Sequence, residues 1–216
     1  MREALASNQI TAVMEIALPI NEYGKTASGL TPVEVLEANL PAIRSLPCKY
    51  VHWHLAPLSL SPARPLEQDL LSQFKQGASI ALENEFHFGF ENNEPKLDFL
   101  STPASCAALL AAVDNLGLVW DVNHTIPEHS KSFQDLIPKM TMLHISDTPL
   151  PEVNHHLPLG QGSINFSELL KELRRKNFQG PAILEIGGLP KSGGYGKDTD
   201  EALVDSLCIL TMYSPK

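Results

Sequence analysis

The chain has 216 residues, of which 43% are hydrophobic and 19% charged, and its formal net charge is −9. These values are typical of a globular protein, and we expect one domain over residues 1–216. The acidic balance argues against nucleic acid as a partner, and no apolar run approaches the ~20 residues that span a bilayer. Three widely spaced cysteines and the lack of a secretory leader predict a reduced, cytoplasmic protein.

Apolar, strand-like segments alternate along the chain with segments of helical periodicity. Strands are predicted at residues 11–18, 49–55, 79–86, 117–122, 140–146 and 181–186. Helix starts are marked by Thr31-Pro32, Thr102-Pro103 and Asn165, and the last helix is expected from about Asp200 to Met212. This alternation is typical of a parallel sheet with helical crossovers.

The fold class indicated is α/β, a (β/α) barrel of TIM type. A complete barrel has eight strands and only about six can be recognised, so the barrel is expected to be incomplete. Open strand edges need a cover, which predicts a homodimer or a higher homo-oligomer. The glycine-rich segment 187–197 follows the last strand and is expected to be a loop near the mouth of the barrel, or a lid.

Four of the predicted strands end in a side chain that can bind a divalent cation. These residues are Glu83, Asp121, His144 and Glu185. The carboxyl ends of barrel strands converge on one face, where barrel enzymes carry out their chemistry. Two Glu, one Asp and one His would form a mixed oxygen and nitrogen site for a divalent metal ion.

Three short motifs accompany these strand ends. They are Asp121-x-x-His124, His144-x-x-Asp147 and His156-x-x-x-Gly160-x-Gly162. Each is a weak signal by itself, because a single histidine near a strand is more often a hydrogen-bonded core residue than a ligand. Their occurrence in this order, at spacings of about one βα unit, favours a common site.

The order of these residues from Glu83 to Glu185 resembles the xylose-isomerase-like superfamily, over roughly residues 10 to 213. That group contains sugar isomerases and epimerases, inosose dehydratase-type enzymes and apurinic-site nucleases of the endonuclease IV type. The resemblance implies a (β/α)8 barrel with a divalent metal at its C-terminal mouth.

The resemblance also implies roles for particular residues. The metal ligands would be Glu83, Asp121, His144 and Glu185, and the two Glu would act as acid and base on opposite faces of a sugar. Substrate-binding positions would be His54, His124 and His156, of which His54 and His156 fall on zinc-ligand positions of the nuclease type. A single ion is expected, with Mn²⁺ favoured and Mg²⁺, Co²⁺ or Zn²⁺ also suitable.

Two departures from the nuclease pattern favour the isomerase branch. The first strand lacks the nuclease histidine and has Glu15 or Ala17 in that region, and Asn154 stands where an Asp ligand is expected. We therefore expect a metal-dependent isomerase or epimerase that acts on a sugar, sugar phosphate or polyol through an enediolate. The alternatives are a zinc-dependent apurinic-site phosphodiesterase and a non-catalytic relative that binds metal or sugar.

Overall fold

The computed structural model describes residues 2–59, 66–187 and 199–212. Its strands are β1 (Ala12–Ile20), β2 (Cys48–Pro57), β3 (His87–Glu91), β4 (Leu116–Asp121), β5 (Met140–Ile145) and β6 (Ala182–Leu184). Its α-helices are α1 (Arg2–Ser7), α2 (Pro32–Ser45), α3 (Leu66–Glu83), α4 (Pro103–Ala112), α5 (Pro127–Asp135), α6 (Phe166–Arg175) and α7 (Thr199–Met212). The six strands belong to one sheet whose order follows the chain, which confirms the α/β barrel-type fold class.

The chain divides into two compact units, Met1–Val119 and Trp120–Lys216. In the first unit, β2 pairs in parallel with β1 and β3, and β3 pairs in parallel with β4. Helix α3 packs on this sheet through an aromatic cluster. The ring centroids of Phe74 on the helix and Trp53 are 5.2 Å apart, and Phe88 meets Trp53 edge to face with a centroid distance of 4.8 Å. All three side chains are buried and form the core of this unit.

In the second unit, β5 and β6 pair in parallel, and Trp120 stacks on Phe133 of α5 with ring centroids 5.9 Å apart. Helix α6 begins where the sequence predicts, because the Asn165 side chain accepts a hydrogen bond from the Glu168 amide. Its apolar stripe buries Phe166, Leu169 and Leu173. The amphipathic pattern of this helix was therefore a reliable guide to its position.

One predicted strand is wrong. Residues 79–86 do not form a strand, because the chain is helical up to Glu83 and the strand of this region is β3, His87–Glu91. The strands expected at 11–18, 49–55, 117–122, 140–146 and 181–186 are confirmed to within a few residues. The expected loop at 187–197 lies outside the described residues apart from Gly187. A single domain over 1–216 stays a prediction.

Candidate metal and substrate site

Asp121 is the last residue of β4, a strand that is buried along its whole length. Its carboxylate is 0% exposed and accepts a hydrogen bond of 2.8 Å from the Asn123 amide through Oδ1. The other oxygen, Oδ2, lies 3.2 Å from Nε2 of His124. The Asp-x-x-His spacing brings these two side chains together because the chain makes one 3-10 turn directly after the strand.

His144 and Glu185 meet because their strands are neighbours. His144 of β5 pairs with Ile183 of β6, and the Glu185 amide donates to the Ile145 carbonyl just beyond the last strand pair. Nδ1 of His144 and Oε1 of Glu185 are 3.1 Å apart. The potential ligand atoms of Asp121, His144 and Glu185 all lie within 4.8 Å of one another. Three of the four predicted ligands are therefore brought together.

Glu83 does not belong to this group. It is the last residue of α3, where its side chain is exposed. The strand predicted over residues 79–86, in which it was placed, is not formed because the chain is helical up to Glu83. Its prediction as a metal ligand and catalytic residue relied on a strand end that the structure does not have at this position. The acidic residue that ends the true strand β3 is Glu91, which is only 2% exposed. In the sequence Glu91 is marked by the run Phe88-Gly89-Phe90-Glu91. This is an apolar segment that ends in a possible ligand, like the runs from which the other metal ligands were predicted.

Glu91 has two histidine neighbours in the first unit. Its Oε2 lies 3.5 Å from Nε2 of buried His52 and 3.6 Å from Nδ1 of His54. His54 also lies 3.2 Å from Oε1 of Glu15 on β1. Its hydrogen bond to His54 lowers the pKa of Glu15, while burial and the negative charge of Glu91 act in the opposite direction. The imidazole of His54 is therefore close to the carboxylates of both Glu15 and Glu91.

His156 lies on the loop after β5, next to the end of β6. Its Nδ1 is 3.0 Å from the Glu185 carbonyl oxygen and its Nε2 is 3.0 Å from Oδ1 of Asn154. The ring meets that of His124 edge to face at 6.0 Å. Ligand atoms of Asp121, His124 and His156 also lie within 4.8 Å of one another. The predicted substrate-binding residues of the second unit therefore lie beside its candidate metal ligands.

The donor set of the second unit suits a divalent cation. Asp121 and His144 are buried, and Glu185 is about one quarter exposed, at 25%. A cation would offset the cost of holding carboxylates out of water, and carboxylate oxygens with one imidazole are ligands that Mn²⁺, Mg²⁺, Co²⁺ and Zn²⁺ accept. The residues present therefore fit a metal ion of the expected kind.

A groove of about 620 Å³ lies elsewhere in the second unit, between α5 and α6. Its lining includes Trp120, Gln134, Ile164 and Glu172 and none of the predicted site residues. It is separate from the candidate site.

The fold and the donor set together define a (β/α)-barrel protein with a candidate metal centre. The model of the xylose isomerase-like TIM barrel family matches residues 1–204, and the chain belongs to that family. This confirms the resemblance seen in the sequence.

Several solved structures have the same fold. Escherichia coli 3-keto-D-glucoside 4-epimerase is 16% identical with a TM-score of 0.75, and covers 98% of this chain and 82% of its own. Methylomonas D-allulose 3-epimerase is 14% identical with a TM-score of 0.78, and covers 99% of this chain and 81% of its own. An AP endonuclease of family 2 from Brucella melitensis is 12% identical with a TM-score of 0.64, and covers 92% and 81%. At these identities the likeness shows the fold alone.

No curated protein matches the sequence significantly. Among the described helices, none combines the length and the apolar character that a membrane-spanning segment needs.

Proposed function

We propose that the chain is a divalent-metal-dependent isomerase or epimerase of a sugar, sugar phosphate or polyol. The observation that carries the proposal is the convergence of Asp121, His144 and Glu185, with ligand atoms within 4.8 Å of one another. Two structural neighbours named above are sugar epimerases by name, which supports a sugar as the substrate class.

We propose Glu91 as the fourth ligand, in the role predicted for Glu83 from the sequence. Glu91 pairs with Val119 in the parallel ladder of β3 and β4. Side chains on a strand alternate, so Asp121, two residues after Val119, points to the same face of the sheet as Val119. Both acidic residues also end their strands, and strand ends are where barrel enzymes place their functional groups.

The proposed chemistry needs one base and one acid, placed on opposite faces of the substrate for epimerisation. Glu91 and Glu185 take these roles: one carboxylate removes the proton from the carbon next to the carbonyl, giving an enediolate. The other returns a proton, to the opposite face for epimerisation or to the neighbouring carbon for isomerisation. General acid–base catalysis of this kind raises the reaction rate by about 10²–10⁴-fold. A bound divalent cation would polarise the carbonyl as a Lewis acid.

Substrate contacts are assigned to the three histidines. His124 and His156 lie beside the candidate ligands of the second unit, and His54 lies beside Glu91. Neutral imidazoles both donate and accept hydrogen bonds, which suits the hydroxyl groups of a sugar. Mn²⁺ is the favoured ion, because the ligand set is rich in oxygen and has a single histidine.

The test is deuterium exchange with ketohexoses. Metal-free protein is supplied with Mn²⁺ and given D-fructose or D-allulose in D2O, and the sugars are analysed by NMR and mass spectrometry. We expect deuterium at the carbon next to the carbonyl, because the proton returned comes from solvent. Glu185→Gln should abolish the exchange and Asp121→Asn should weaken Mn²⁺ binding, while both variants stay folded. Full turnover by Glu185→Gln would show that the assigned roles are wrong.

A second candidate function is a zinc-dependent phosphodiesterase acting on abasic DNA. It is favoured by the second trio of potential ligands, Asp121, His124 and His156, which could hold a further ion. The net charge of −9 and the amide of Asn154 argue against it. Metal analysis after zinc loading separates the two: one ion per chain supports the isomerase, and several ions with cleavage of an abasic-site oligonucleotide support the nuclease. A non-catalytic relative would bind metal or sugar and show neither reaction.

We also propose a homo-oligomer in the cytoplasm. Strands β1 and β6 are the outer strands of the sheet, and α7 exposes Val204, Leu207 and Met212. Exposed strand edges and apolar helix faces are commonly covered by another subunit. Light scattering at micromolar concentration should give at least twice the mass of one chain, and a monomer would contradict the proposal.

A further inference from the structure

The loop between β5 and α6 is organised by one buried carboxylate. Asp147 is 1% exposed and accepts three backbone hydrogen bonds from this loop. Oδ1 accepts from the amides of Thr148 at 2.9 Å and Ile164 at 3.1 Å, and Oδ2 accepts from Gly160 at 2.8 Å. The backbone of Asp147 also exchanges two hydrogen bonds with Leu157. Both ends and the middle of the loop are thereby tied to one residue.

The glycines of the His156-x-x-x-Gly160-x-Gly162 motif fit this arrangement. Gly160 has φ of +84°, a conformation that suits glycine. At Gly162 a Cβ atom would collide with Oδ1 of Asp147 and with the backbone of Thr148. The motif therefore allows the loop to close tightly around the Asp147 carboxylate.

The part of the loop held in this way carries two residues of the candidate site. Asn154 and His156 both have positive φ, at 61° and 52°. Asn and His adopt such conformations more readily than most residues, but at a cost that surrounding contacts have to offset. Asn123 supplies some of those contacts, accepting from the amides of Asn154 at 2.9 Å and His155 at 3.2 Å. Asp147 holds the other side of the loop.

The result is a defined orientation of the His156 ring. A carbonyl oxygen can only accept, so the contact of Nδ1 with the Glu185 carbonyl requires a proton on Nδ1. Nε2 lies 3.0 Å from Oδ1 of Asn154, so a ring with its proton on Nδ1 and its lone pair on Nε2 needs the Asn154 amide turned to present its NH2 group there. The Gly187 amide donates to the His156 carbonyl and fixes the backbone as well.

We propose that Asp147 is a positioning residue that holds the loop Thr148–Ile164 so that His156 is fixed against the end of β6 in its Nδ1–H tautomer. The consequence for catalysis rests on the proposed function, in which His156 binds the substrate. The carboxylate is needed because an amide in its place has one acceptor atom instead of two, and its NH2 group would face a backbone donor.

The primary test compares Asp147→Asn with Asp135→Asn, an acid-to-amide change at an exposed residue of the same unit. Long-range 1H–15N NMR reports the tautomer of each histidine ring. In the wild type and in Asp135→Asn we expect His156 to be a single Nδ1–H tautomer. In Asp147→Asn we expect mixed tautomers for His156 and at least about tenfold faster amide exchange at Gly160 and Ile164. An unchanged His156 signal and unchanged exchange in a folded Asp147→Asn protein would overturn the proposal.

A second variant covers the case in which Asp147→Asn does not fold. Gly162→Ala keeps the carboxylate but places a methyl group between Asp147 and Thr148, and it should give the same NMR signature. In the wild type, the amides of Gly160 and Ile164 should be strongly protected from exchange. Exchange at the rate of an unstructured peptide would also overturn the proposal.

Kinetics separate this proposal from the proposed function. If the wild type exchanges deuterium into a ketohexose, Asp147→Asn should raise KM about tenfold with a smaller change in kcat, because a substrate contact is misplaced and the acid and base remain. A wild type without that activity refutes the proposed function and leaves the NMR result to decide the role of Asp147. Activity combined with unchanged NMR signals refutes the role of Asp147 alone.

Discussion

Two short runs of similar composition have different structures in this chain. Ile80-Ala81-Leu82-Glu83 is the last turn of α3, whereas Leu118-Val119-Trp120-Asp121 is the end of β4. Each has three apolar residues followed by an acid. In the helical run Ala81 is buried but Leu82 is 68% exposed, whereas every residue of the strand is buried. The acid is exposed in the first run and fully buried in the second.

The difference shows that four residues are too few to determine a period. Over a longer window, Leu66, Leu70, Phe74, Ala78 and Ala81 are all buried, at spacings of three or four residues. That spacing is helical, and it extends over the 18 residues of α3. In β4 the apolar residues are continuous, as expected for a strand covered on both faces. Short apolar runs need this longer context before their last residue is assigned to a site.

The largest effect is expected from a matched pair of substitutions at Glu91 and Glu83, two acidic residues of the first unit. Glu91→Gln should reduce epimerase activity at least about 10²-fold, because it removes a proposed ligand and acid–base group. Glu83→Gln should keep activity within about twofold, because Glu83 is exposed at the end of a helix. The measurement is kcat/KM at saturating Mn²⁺. Loss of activity in Glu83→Gln together with full activity in Glu91→Gln would restore the original assignment.

Stability separates the buried from the exposed face of α3. Phe74→Ala should lower the free energy of unfolding by about 3–5 kcal/mol, since Phe74 is fully buried and touches the Trp53 cluster. Leu82→Ala should change it by less than about 0.5 kcal/mol, since the side chain is mostly in solvent. Both values come from denaturant titration. Similar costs for the two variants would be inconsistent with a helix that buries one face.

Gly77→Ala tests how closely α3 lies on the sheet. In an exposed helix this change stabilises, because alanine is the better helix former. Here a Cβ would lie 2.7 Å from the Phe88 ring and 3.3 Å from Trp53, both of which are buried. Because of this overpacking, we expect the free energy of unfolding, measured by denaturant titration, to fall by about 1–3 kcal/mol. A gain in stability would show that the helix is farther from β3 than described.

Much of the fold could be predicted because its signals are local. Thr31 caps α2 in a reciprocal pair with Glu34, and Asn165 caps α6, as their sequence patterns indicate. Helix α3 was missed because its apolar C-terminal turn resembles a strand and the strand that follows has only five residues. Once the strand was shifted, its ligand was shifted with it, from Glu91 to Glu83.

The candidate site was predictable where motif and strand end coincide. Asp121 and His124 share one turn of chain, and His144 and Glu185 lie on paired strands. The link between Asp147 and Gly160 could not be predicted, because it depends on the closure of a 17-residue loop, Thr148–Ile164, by backbone hydrogen bonds. Sequence patterns show which residues are available and give no direct sign of which amide a buried carboxylate accepts.

The smallest expected effect is a pair of opposite shifts at Glu15. The hydrogen bond from His54 lowers the pKa of Glu15 and the charge of Glu91 raises it. In metal-free protein, His54→Ala should therefore raise the pKa of Glu15, Glu91→Gln should lower it further, and Glu83→Gln should leave it unchanged. NMR titration of the Glu15 carboxyl group measures all three.

Because the folded pKa of Glu15 lies below the unfolded value of 4.5, Glu15 stabilises the fold above that pH, and this stabilisation is lost as pH falls through the folded pKa. Shifts of the same sign in His54→Ala and Glu91→Gln would mean that the carboxylate near His54 and Glu15 is not that of Glu91.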